Sequence, residues 1–118
     1  MPIIPSPAAV TVNMEDNDKA TAIPVDMTLT TANASQTLFT IPALRKLRGF
    51  SLVNKGPGKA RISMVAGAAA VATDTELEKG DDAWSEDHLD LPSGTYAFIN
   101  GGATNTPRIV GVVWHGPA

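Results

Sequence analysis

The 118-residue chain carries a formal net charge of -3, no cysteine, 10 glycines and 9 prolines. That length fits one domain with a buried core, and the mild acidity argues against general nucleic-acid binding, which needs a basic footprint. The lack of cysteine rules out disulfides, thiolate metal sites and a cysteine nucleophile, and the frequent Gly and Pro punctuate the chain into many short elements.

The first seven residues, MPIIPSP, hold three prolines and form neither helix nor central strand. They read as an extended arm over residues 1–7. It is either a frayed terminus or a segment that lies on a neighbouring subunit and buries Ile3 and Ile4 there. A β-sandwich domain over residues 8–118 follows. No basic region followed by an apolar stretch marks a signal peptide, and no segment approaches the roughly 20 apolar residues of a membrane-spanning helix. A soluble protein without membrane contact is expected.

Residues 8–13 are strand-like, and an acidic turn follows at 15–18. Over residues 22–30, Ile23, Val25, Met27 and Leu29 alternate with Pro24, Asp26, Thr28 and Thr30, the period of a half-buried strand. Pro24 places this strand near a sheet edge or a bulge. QTLFTI at 36–41 is a further strand, ended by Pro42. ALRKL at 43–47 is too short for a stable helix and reads as a turn or bulge.

Arg48 to Val65 gives the clearest signal. Phe50, Leu52 and Asn54 alternate with Ser51 and Val53, and Ala60, Ile62 and Met64 alternate with Lys59, Arg61 and Ser63. Asn54-Lys55-Gly56-Pro57-Gly58 lies between, so the pattern predicts a β-hairpin with a longer loop. Residues 66–72 read as a loop or a thin strand. From Asp74 to Asp90, eight acids fall in seventeen positions, with a turn at 78–81. HLDL at 88–91, TYAFIN at 95–100 and PRIVGVVW at 107–114 complete about eight strands, with turn signals every 8–12 residues or so. That spacing predicts an all-β fold: a single antiparallel sandwich or jelly-roll-like barrel. Gly111 within the last strand indicates a bulge or close packing, and Trp114 is expected in the core.

Catalytic chemistry finds little footing. Only His88 and His115 could serve as a base, no G-x-S-x-G occurs, and carboxylate pairs in so acidic a stretch arise by chance. The Gly-Pro-Gly and Gly-Gly runs lack a phosphate-loop pattern. The acidic residues at 81–90 are oxygen-rich enough for Ca²⁺ but lack EF-hand spacing, so a solvated loop is the better reading. No enzyme activity, metal or cofactor is expected. Six of the nine basic residues, Arg45, Lys46, Arg48, Lys55, Lys59 and Arg61, cluster in one region, and eight of the twelve acids in another. These regions are either two solvated loops or complementary faces of neighbouring subunits. Trp84, in the acidic DAWSE, is an interface anchor, a sugar-stacking platform or a cap on the end of the sandwich.

GFSLVNKGPGKARISMV, LEKGDD, LPSGTYAFINGG and PRIVGVVW, spread over residues 48–114, together resemble head-decoration and minor structural proteins of tailed phages. That resemblance implies a non-enzymatic virion protein with a jelly-roll-like sandwich, made in the host cytoplasm and mounted on the capsid exterior. It would act as a homo-oligomer, trimer or dimer, that decorates or cements the shell by binding the major capsid protein. Ile3, Ile4, Arg45, Arg48 and Trp84 are the expected interface residues. The alternative is a carbohydrate-binding β-sandwich, such as a tail-associated receptor module, with Trp84 and Tyr96 as stacking residues.

Overall fold

The computed structural model describes residues 20–31, 33–71, 73–101 and 106–118. The arm with Ile3 and Ile4 and the expected strand at 8–13 lie outside them. Eight strands are described: β1 (Thr21–Thr28), β2 (Gln36–Ile41), β3 (Arg45–Asn54), β4 (Ala60–Ile62), β5 (Thr75–Leu77), β6 (Ala83–Glu86), β7 (Gly94–Asn100) and β8 (Arg108–Pro117). They form two four-stranded sheets, ordered β1-β8-β3-β6 and β2-β7-β4-β5. All pairings are antiparallel.

The order has a simple logic. First pairs with last, second with seventh, third with sixth and fourth with fifth, as in one long folded-over ladder. That ladder is then rolled so that β8 also meets β3 and β7 also meets β4. This is the winding of a jelly roll, so the all-β sandwich read from the sequence is the fold.

The core lies between the sheets, as period-2 patterning requires. From one sheet come Val25, Phe50, Leu52, Ile109 and Val113; from the other come Phe39, Ile62, Leu77, Tyr96 and Phe98, all buried. Phe39 stacks on Tyr96 with ring centroids 5.0 Å apart. Gly111 has φ 155, and a Cβ there would meet the Ser51 carbonyl oxygen at 2.0 Å. Close packing of β8 on β3 therefore requires glycine.

Several expectations change. The predicted hairpin across residues 48–65 is not one, because β3 and β4 lie in opposite sheets. Asn54 explains the crossing. Fully buried, it donates from Nδ2 to the carbonyls of Gly58 (2.7 Å) and Leu77 (3.2 Å). Its Oδ1 accepts from the N–H groups of Gly56 (3.1 Å) and Arg108 (3.3 Å). One side chain thus satisfies the backbone where the chain leaves one sheet for the other. Both strands face the same core, so alternation is identical for a hairpin and for a crossing.

The segment at 43–47 is not a separate turn or bulge throughout: only residues 43–44 turn, and β3 already begins at Arg45. The acidic stretch contains two strands, β5 and β6, where a loop was expected. They are short edge strands, each with one inward apolar anchor, Leu77 or Trp84, too little for a periodic signal. HLDL is not a regular strand. Leu91 forms a single bridge to Leu47, and the Leu89 N–H donates to the Arg48 carbonyl at 2.8 Å. Trp114 is not in the core. Its neighbours Val113 and His115 point inward, so Trp114 occupies the outer face, half-buried.

Candidate functional site

Two surface features could meet a partner. The first is the outer face of the β1-β8-β3-β6 sheet. Strand register places Ala22, Trp114 and Gly49 in one row, Pro24, Val112, Ser51 and Ser85 in the next, and Asp26, Val110, Val53 and Ala83 in a third. Most of this face is apolar. Its far edge is held by Arg108, whose Nε and Nη2 donate to the two Asp26 carboxylate oxygens, both at 2.8 Å. That bidentate hydrogen bond, with a smaller coulombic contribution, holds the Asp26 carboxyl below its usual range.

Trp114 dominates this face because Gly49 lets it. A Cβ on Gly49 would meet indole Cζ2 at 2.5 Å and Cε2 at 2.6 Å. The indole therefore lies against β3 where a side chain would otherwise stand. Shallow clefts of ≈ 530 and ≈ 520 Å³ flank it. One is lined by Arg48, Asp87, His88, Leu89 and Asp90; the other by Phe50, Ser51, Ser85, Glu86 and Asp87. The hydroxyls of Ser85 and Ser51 are hydrogen-bonded at 3.1 Å.

The second feature is the β2–β3 turn. Leu44 is 85% exposed and has φ 66, a left-handed conformation that costs a branched, bulky residue about 1–3 kcal/mol. The turn is pinned on both sides: the Arg45 N–H donates to the Pro42 carbonyl (3.2 Å), and the Ala118 N–H to the Leu44 carbonyl (3.2 Å).

The expected interface residues fall in different places. Arg45 is engaged within the chain. Its Nε donates to His115 Nδ1 at 2.9 Å, and its Nη2 to the His115 carbonyl and Thr21 hydroxyl. Burial, then the nearby Arg45 charge, pushes the His115 pKa down, so the imidazole stays a neutral acceptor. Arg48 donates to Asp90 at 2.7 Å and to the Pro117 carbonyl. Both arginines clamp the C-terminal end of β8. Trp84 stands on edge strand β6, edge-on to Phe50 with centroids 4.8 Å apart, its Nε1 donating to Glu86. Tyr96 cannot stack on a sugar. It is fully buried, and its hydroxyl donates to the Pro92 carbonyl at 2.7 Å.

The basic and acidic clusters meet within one chain. Arg48 and Lys46 pair with Asp90, Lys55 with Asp81, Lys59 with Glu76 and Glu78, and Arg61 with Glu76. The β3·β6 and β4·β5 ladders bring them together. Among the described residues, no group of three or more His, Asp or Glu could hold a metal ion.

Leu44 and the outward Trp114 were missed by the sequence reading. Both parities of β8 are apolar, so alternation cannot assign a face. The sequence places Leu44 in a turn or bulge, but nothing local marks it as an exposed residue with positive φ. No protein-family model and no curated protein matches the chain.

Proposed function

We propose that the chain is a non-enzymatic structural protein of a tailed-phage virion, made in the host cytoplasm, that decorates or cements the capsid exterior by binding the major capsid protein. In this reading it acts as a homo-oligomer, and weak contacts repeated over a shell add by avidity. Leu44 is the observation that carries the proposal. A large apolar side chain stands exposed on a rigid turn, in a backbone conformation that glycine would adopt without strain. Folding alone favours neither the side chain nor its exposure, whereas an apolar contact with a partner uses both. The jelly-roll winding is compatible, since capsid domains are among those that use it.

The test is Leu44→Gly. It relieves the strained conformation and removes the apolar contact together. The variant should melt at or above the parent temperature yet bind purified phage capsids about tenfold more weakly, as loss of an interface anchor implies. Capsid binding equal to the parent's would overturn the assignment of this turn. Failure of the parent protein itself to bind capsids would overturn the reading as a whole.

A further inference from the structure

We infer that the clefts flanking Trp114 form a binding site for a neutral saccharide, independent of any contact made through Leu44. Three observations converge. The first is the indole itself. It is half-buried on the outer sheet face, and Gly49 beneath it leaves no room for a β-carbon. An indole held this way offers a flat apolar surface to the C–H face of a pyranose ring.

The second is the surrounding chemistry. Ser51 and Ser85 supply hydroxyls, Asp87 and Asp90 carboxylates, His88 an imidazole and Arg48 a guanidinium. Donors and acceptors both line the clefts beside the apolar indole. A hydroxyl-rich ligand, which donates and accepts at every carbon, suits that mixture. An anionic ligand would meet Asp87, Asp90 and Glu86, while Arg48 is already engaged by Asp90 and the Pro117 carbonyl. A neutral sugar avoids that conflict and can stack on the indole as well.

The third is availability. Asp90 Oδ2 accepts no hydrogen bond among the described residues, since Arg48 and Lys46 both approach Oδ1. The His88 side chain is 93% exposed, and φ 57 at this residue turns the chain at the cleft wall. Both clefts share Trp114 and Asp87 and have volumes in the range of small-ligand sites. The indole is therefore reachable from two sides, as an oligosaccharide lying across it requires.

The two tryptophans provide the measurement. Trp114 reports on the site directly, while Trp84, whose Nε1 is bonded to the cleft residue Glu86, reports on its rim. Full-length ¹⁵N-labelled protein would be titrated with neutral hexasaccharides of glucose, mannose, galactose and N-acetylglucosamine, and with sialyllactose as the anionic comparison. At least one neutral oligosaccharide should shift the Trp114 indole resonance with a Kd on the order of 0.1–1 mM. Sialyllactose should not. Asp87→Asn, a surface change, should weaken that binding at least severalfold. Trp114→Ala should abolish it, with circular dichroism checking the fold. If Trp114→Ala fails to fold, Asp87→Asn and the Trp114 resonance decide alone. No shift with any neutral sugar would overturn the proposal, as would equal binding by Asp87→Asn. A Trp114 shift that follows protein concentration without sugar would also overturn it, and would assign the face to a second copy of the chain.

Discussion

The two sheets bury similar inner faces but present opposite outer ones. On the β2-β7-β4-β5 sheet the outward residues are largely polar: Thr37, Thr40, Thr95, Arg61 and Glu76. The apolar ones are Ala97, which is buried, and Ile99, which is partly buried. In the loop that joins β4 to β5, the Ala70 N–H reaches Ser35 Oγ beside β2 at 2.9 Å, across β7. Ala70 is buried as well. On the β1-β8-β3-β6 sheet, Trp114, Val112, Val110 and Val53 stay partly accessible. One sheet is partly covered by its own chain, whose loop leaves Val65 and Val71 exposed, while the other keeps an apolar face rimmed by ion pairs, as partner-binding surfaces do. Mutations should therefore separate the faces: changes on the covered side cost stability, and changes on the accessible side cost binding.

The largest effect is expected where the sheets are built rather than where they face outward. Gly111→Val places a branched side chain into the Ser51 carbonyl, which a Cβ alone would meet at 2.0 Å. β8 must separate from β3, and both sheet faces are lost together. Stability should fall by more than about 3 kcal/mol, checked by urea unfolding or by failure to obtain folded protein. A variant with near-parent stability would break the jelly-roll register that defines the two faces.

Asn54→Ala comes next. It strands the carbonyls and amides that the side chain satisfies at the crossing between sheets. The expected loss is about 2–4 kcal/mol, read from the same unfolding curves. Asn54→Asp should cost at least as much, because it loses the donated bonds to Gly58 and Leu77 and turns a buried carboxylate toward those carbonyls.

The contrast itself is tested by a pair. Ala70→Asp places a charge at a buried position of the covering loop and should cost about 1–3 kcal/mol. Val112→Asp puts the same charge on the accessible face and should cost less than about 1 kcal/mol. Equal losses would mean that Val112 is as enclosed as Ala70, and the distinction between the faces would fall.

The inward sides of these sheets were legible in the sequence, and the outward sides were not. Phe50, Leu52, Ile62 and Leu29 announced themselves by alternation with polar neighbours, and all are buried. β8 was opaque because Val110, Val112 and Trp114 are as apolar as Ile109 and Val113. Its faces follow only from pairing with β1 and β3. The strands β5 and β6 were hidden by length, since three or four residues with one apolar anchor carry no period. The charge clusters were visible as segregation along the chain, but their union within one molecule depends on which strands pair. Leu44 was silent because a strained conformer leaves no trace in composition when the residue is not glycine or asparagine.

The smallest effect concerns the clamp that closes the accessible sheet at its C-terminal edge. His115 is buried and accepts from Arg45 through Nδ1, so only the neutral imidazole fits there. Its pKa in the fold lies below the value of about 6.5 expected of the unfolded chain. Between those two values the unfolded chain binds more protons than the folded one, so stability rises with pH in that window. Stability should be constant above about pH 6.5 with respect to this group and should decline as acid takes the protein through the folded pKa. Asp26 contributes a similar acid loss only at lower pH, because its carboxyl titrates below the usual range. Unfolding midpoints measured between about pH 7.5 and 5 should therefore show a decline that His115→Gln removes, since a glutamine carbonyl can still accept from Arg45 without gaining a proton. An unchanged slope in that variant would place the titrating group elsewhere and leave the Arg45–His115 contact a matter of packing alone. Because the clamp ties β3 to the end of β8 beside Trp114, acid should also loosen the accessible face before it disturbs the covered one. Amide exchange at Gly116 rising earlier than at Ala97 would show that order.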